Sequence, residues 1–138
     1  FGTLTSGYLS TKFPKKLILS FIYLMRGVVI ALFIFLPPSP TLAVLFGITF
    51  GFLWLATVPP TAGIVSFIFG TKYMGLLYGI VFLSHQVGSF FGAYLGGVFK
   101  EVYGSYDYAW YVSIALSIFA GLIHLPIIEK QVKRLQTT

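Results

Sequence analysis

The 138-residue sequence contains no cysteine. That excludes a disulfide framework and a thiolate metal site. Charge is nearly as scarce, with nine Lys and Arg, three Asp and Glu, and 9% of residues charged. A soluble domain carries about 25% charged residues, so this chain cannot cover a water-facing surface. Paired carboxylates, metal-ligand spacings and nucleotide loops are missing too. The one glycine-rich stretch follows no strand pattern and is no dinucleotide fingerprint. Nothing therefore points to an enzyme or to a bound cofactor or metal. The net charge of +6 does not indicate a nucleic-acid partner, because the basic residues form no continuous stripe.

What is present is apolar. Hydrophobic residues make up 57% of the chain, and lipid is the partner that such a surface needs. The predicted fold class is all-α integral membrane. A crossing helix takes about 20 residues at about 1.5 Å each, and four runs are long enough: 17–36, 41–69, 73–99 and 108–128. Residues 1–10 read as the last turns of a preceding transmembrane helix, and 11–16 as a basic loop. Residues 129–138 read as a basic tail. The sequence begins at Phe1 with no signal-peptide pattern, and the expectation is a piece of a larger polypeptide whose N-terminal part is its partner.

Charge predicts orientation. Lys12, Lys15 and Lys16 precede the first full run, Lys72 follows the second, and Lys130, Lys133 and Arg134 follow the fourth. Alternating helices put these on one side, against Lys100 on the other. Cytoplasmic loops carry the Lys and Arg excess. The C-terminus is therefore expected in the cytoplasm, with the protein multi-pass in a plasma or inner membrane. Tyr73, Tyr103, Tyr106, Tyr108 and Trp110 fall where an aromatic belt should lie.

Gly88, Gly92 and Gly96 recur every four residues in the third run. Such a stripe lets another backbone approach closely. In the second run Pro59 and Pro60 are adjacent. They remove two helical hydrogen bonds and predict a kink, a hinge or a cavity wall.

Arg26 falls mid-run, where it costs about 2.5–3.5 kcal/mol to insert. It is expected to face protein, either as a contact for a carboxylate or as a structural partner of an acid or a helix C-terminus. His85 and Gln86 lie near the middle of the third run. Imidazole can carry protons near neutral pH, so proton coupling and a buried structural histidine are both open readings. His124 is expected at an interface beside Pro126. Two basic groups without an acid in the membrane suggest an anionic solute.

The stretch Gly7-Tyr8-Leu9-Ser10-Thr11-Lys12-Phe13-Pro14-Lys15-Lys16 resembles the loop between the second and third helices in each half of the major facilitator superfamily. Thr11 and Pro14 depart from the Asp and Gly usual there. Residues 50–61, residues 84–93 and the stretch from Gly104 to Trp110 are similar to members related to monocarboxylate and oxalate–formate transporters. The resemblance covers essentially the whole chain. It implies helices nine to twelve, plus the end of helix eight, of a twelve-helix protein with two six-helix halves. Transport by rocking of those halves is implied as well. The helix carrying Trp54, Thr57 and Thr61 would line the cavity. The helix carrying Arg26 would be peripheral.

The reading is a secondary active transporter for a small organic anion such as a monocarboxylate, with protons as a candidate coupling ion. The alternatives are a drug or metabolite exporter of the same superfamily and, in another class, a small four-helix membrane assembly protein.

Overall fold

The computed structural model describes residues 1–132, so Lys133 and Arg134 lie outside the described residues. Six helices follow one another: α1 (Gly2–Lys12), α2 (Lys15–Phe35), α3 (Pro40–Leu55), α4 (Val58–Phe69), α5 (Met74–Tyr103) and α6 (Asp107–Ile123). There is no strand among the described residues.

Turn chemistry sets the boundaries. The run Pro37-Pro38-Ser39-Pro40 separates α2 from α3, and Ser39 caps α3 by accepting from the Leu42 amide at 3.1 Å. Gly70 and Gly104 end α4 and α5 at φ values of 80° and 70°, a region that glycine enters without steric cost. Between α1 and α2 only Phe13 and Pro14 are non-helical. The expected basic loop is thus shorter, because Lys12 ends α1 and Lys15 starts α2.

The second apolar run is two helices, since α3 ends at Leu55 and α4 restarts at Val58. Pro59 and Pro60 have no N–H for the carbonyls of Leu55 and Ala56 four residues earlier. Among the described residues three stretches are long and apolar enough to cross a membrane: 15–35, 40–69 taken across the break, and 74–103. The fourth run is a correction to the expected 108–128. Its helix α6 has 17 residues and stops at Ile123, near Pro126, which disfavours the helical region for the residue before it. At about 1.5 Å per residue α6 spans about 26 Å, slightly under a hydrocarbon core of about 30 Å.

The core gathers around α2. Ile18, Ile22, Leu53 and Ala56 form a buried cluster flanked by Leu9, Met25 and Val29. On another side α2 packs against α6, its most extensive helix contact. A Cβ on Gly27 would lie 3.3 Å from the Ser117 Cβ, and one on Gly121 would lie 2.6 Å from Leu24 Cγ and 3.2 Å from the Ser20 carbonyl. Small residues let these two backbones approach. At the other end of the pair, Phe33 stacks on Phe46 at 4.2 Å and meets Trp110 edge-on at 5.8 Å.

Helix α5 differs in kind. It contacts α4 and α6, yet none of its residues is buried. A Cβ on Gly88, Gly92 or Gly96 would meet nothing within 4 Å. The close neighbour expected for this stripe is not among the described residues.

Candidate functional site

The α3–α4 break is the most polar point inside the helices. The carbonyls of the last turn of α3, which have no intrahelical partner, take donors from two other helices. Arg26 Nη2 on α2 donates to the Leu53 carbonyl at 2.7 Å and the Trp54 carbonyl at 2.6 Å. Thr3 Oγ1 on α1 donates to the Leu55 carbonyl at 3.3 Å. Within the break, Thr57 Oγ1 donates to the Trp54 carbonyl at 3.3 Å, and Thr61 Oγ1 to the Thr57 carbonyl at 2.7 Å. The guanidinium also lies over the Tyr23 ring at 5.2 Å and the Trp54 ring at 5.3 Å, a favourable position for a cation. Its Nε is buried without a hydrogen-bond partner. A cation at a helix C-terminus also complements the helix dipole.

Beside the break a cavity of about 320 Å³ opens between α2, α4, α5 and α6. Thr57 and Thr61 line it from the break. Tyr78, Ser84 and His85 line it from α5, and Tyr23 and His124 close it from α2 and the end of α6. The His124 ring stacks on Tyr23 at 5.2 Å, and its Nδ1 lies 2.6 Å from the Ala120 carbonyl. That carbonyl can only accept, so Nδ1 carries the proton and Nε2 accepts when the ring is neutral. The hydroxyl hydrogens of Thr57, Thr61 and Ser84 point to backbone carbonyls, which leaves their oxygens as acceptors. Among the described residues no Asp, Glu, Lys or Arg lines the cavity. A solute there would meet hydroxyls, two imidazoles and apolar walls, with no fixed charge. Among the described residues no group of three or more His, Cys, Asp or Glu could hold a metal ion.

The cavity brings Thr57, Thr61 and His85 together, out of the residues singled out in the sequence. Arg26, Trp54 and Gln86 lie outside its lining. Trp54 packs against Phe50 at 5.5 Å, and Gln86 is exposed. Pro60 is fully buried at the start of α4. Gly7 faces Pro59, whose Cβ is 3.8 Å from where a Gly7 Cβ would stand. Lys12 lies over Tyr8 at 4.5 Å and Lys15 over Phe67 at 5.1 Å.

Lys16 joins the two ends of the chain. Its amide donates to Glu129 Oε1 at 2.6 Å and its Nζ to the Leu125 carbonyl at 3.0 Å. The Val132 amide in turn donates to the Ile68 carbonyl at 2.9 Å. These contacts bring Lys15, Lys16 and Lys130 to the same end of the helices.

Tyr23, Tyr78 and His124 were not among the sequence candidates. Tyr23 had a signal, because it sits three residues before Arg26 on the same helical face. His124 had none, since its place at the cavity depends on how α6 crosses α2.

Long apolar helices, one of them broken beside a polar cavity, define a polytopic membrane protein of the transporter type. The family comparison agrees: the Major Facilitator Superfamily matches residues 1–137. The chain belongs to that superfamily, which is a family of transporters. No curated protein and no solved structure gives a significant match.

Proposed function

We propose that the chain forms helices nine to twelve, with the end of helix eight, of a twelve-helix secondary transporter that moves a small organic anion by alternating access. The observation that carries the reading is the cavity of about 320 Å³ beside the α3–α4 break. Its volume suits a small solute, and its walls come from several helices, so relative motion of those helices would open or close it. The absence of any acid in the lining favours an anion over a cation. An anion would find its counter-charge on His85 or His124 when protonated, which links uptake to protons.

Two features support the wider architecture. The bare glycine face of α5 suits a close helix from the N-terminal part of the same polypeptide. The lysines gathered at the end marked by Lys16 and Glu129 suit a cytoplasmic C-terminus by the positive-inside rule.

The test is uptake of a labelled monocarboxylate by the complete transporter in proteoliposomes, with and without an imposed proton gradient. His85→Ala is expected to lower proton-driven uptake by about 10²-fold or more, the range typical of a positioned proton-transfer group. Gradient dependence that survives unchanged in the variant would remove His85 from the proton path. No uptake of any monocarboxylate by a folded transporter would reject the anion reading.

A further inference from the structure

We propose that Arg26 is a positioning residue, one whose guanidinium sets the α3–α4 break and so holds Thr57 and Thr61 in the cavity wall. Each side of the contact is fixed differently. Arg26 projects from the most firmly seated helix of the chain. Its neighbour Gly27 is buried against Ser117 of α6, and Ile22 and Ile30, four residues to either side of Arg26, are buried at 4% and 3% exposure. A base so packed gives the side chain a fixed origin.

The other side is a chain end without an intrinsic partner. The prolines deprive Leu55 and Ala56 of helical donors, the helix does not resume until Val58, and Leu53 and Trp54 are among the last four carbonyls of α3, which have no intrahelical partner. A turn with freed carbonyls in an apolar medium has no single preferred geometry, because each carbonyl seeks whatever donor is near. Arg26 Nη2 takes the Leu53 and Trp54 carbonyls at once, at 2.7 and 2.6 Å. Two bonds from one nitrogen fix the direction of the last turn of α3. Thr57 follows Trp54 by three residues and bonds back to the same Trp54 carbonyl. Thr61 bonds to the carbonyl of Thr57. The cation, the two carbonyls and the two cavity threonines are therefore linked, through the shared Trp54 carbonyl and then through the backbone of Thr57.

The burial of Nε without a partner fits the same picture. An Arg chosen only to satisfy its own donors would not leave one orphaned. Arg26 instead sits where the carbonyls and the Tyr23 and Trp54 rings require it. Arg26 acts through the wall and not on the solute, since it does not line the cavity.

These 138 residues contain no cysteine, and once any cysteine elsewhere in the complete protein is replaced by serine, single cysteines report local geometry. Thr57→Cys, Thr61→Cys, Thr11→Cys and Ser105→Cys are made one at a time in the complete protein in lipid, and each is labelled with a water-soluble thiol reagent. The last two lie at helix ends away from the break and serve as controls. Adding Arg26→Leu is expected to change the rates at the two break positions by on the order of tenfold, the equivalent of about 1.4 kcal/mol. The controls should stay unchanged. Arg26→Lys should restore the rates toward those of the parent, because an ammonium also offers several donors.

Should Arg26→Leu fail to fold, Arg26→Gln takes its place with the same expectation, as its neutral amide is shorter. Break-position rates unchanged in a folded variant would overturn the proposal. Rates changing in proportion at all four positions would overturn it equally, because that is general loosening. The functional meaning rests on the cavity being the solute path. Labelling reads geometry and uptake reads the path, so either can fail while the other stands.

Discussion

Helices α2 and α5 are both long, apolar and crossed by a few polar groups, yet the chain treats them oppositely. Of the 21 residues of α2, Ile18, Leu19, Ser20, Ile22, Gly27 and Ile30 are buried. None of the 30 residues of α5 is. Helix α2 is the more apolar of the two, with a mean hydropathy of 2.4 against 1.3, but hydropathy alone does not decide burial, since lipid and a packed interior reward the same side chains. Shape does. On α2, Ser20 and Gly27 meet Gly121 and Ser117 of α6. On α5, Gly88, Gly92 and Gly96 meet open space. A small-residue stripe marks a place where a backbone can approach, and only the fold decides whether one does.

The largest effect should come from filling the α2–α6 contact. Gly121→Leu places a side chain where Leu24 and the Ser20 carbonyl already stand. Overpacking of this kind costs about 1–3 kcal/mol, measurable as a lowered unfolding midpoint in detergent micelles. A midpoint equal to that of the parent would mean that α2 and α6 do not pack as described.

A smaller loss is expected where the chain's two ends join. Glu129→Gln removes the negative charge that meets the α2 amide of Lys16, at a helix start whose N-cap Pro14 makes no side-chain cap bond. Charge at a helix N-terminus is worth about 0.3–1 kcal/mol and weakens with salt. The difference between parent and Glu129→Gln should therefore shrink as salt is added. A salt-independent difference would point to packing as its source.

The smallest effect sharpens the comparison from the other side. Gly92→Ala on the open face of α5 should cost the isolated 138-residue chain nothing, and removing a helical glycine can add about 0.5–1 kcal/mol. In the complete transporter the same change should destabilise, if an N-terminal helix lies there. A chain equally indifferent in both settings would leave the stripe without a partner.

Much of this was legible in the sequence, and the illegible parts share a cause. The Pro59-Pro60 break follows from proline's missing N–H, and the turn residues around Ser39, Gly70 and Gly104 mark helix ends. Thr57, Thr61 and His85 could be placed in mid-run by counting. The true close packing was legible as well: Ser113, Ser117 and Gly121 recur every four residues in the last run. A helix C-terminus was one of the partners open to Arg26, but which helix end it would be could not be read, because backbone carbonyls are present at every position and leave no mark in the sequence. Only the break, seen together with the crossing of α2, shows which two are free. The cavity places of Tyr23, Tyr78 and His124 were hidden for the same reason. They depend on crossings between helices, and residue spacing within one helix does not record those.

Under the proposed function, water and solute reach the cavity beside the break, while the glycine face of α5 is closed by protein. The most direct test is to label Thr61→Cys and Gly92→Cys, each alone, with a membrane-impermeant thiol reagent in the complete lipid-embedded transporter. The Thr61 position is expected to react, a transported monocarboxylate to slow that reaction, and the Gly92 position to stay unlabelled. A Thr61 position that never reacts, or a Gly92 position that reacts as fast, would contradict that function.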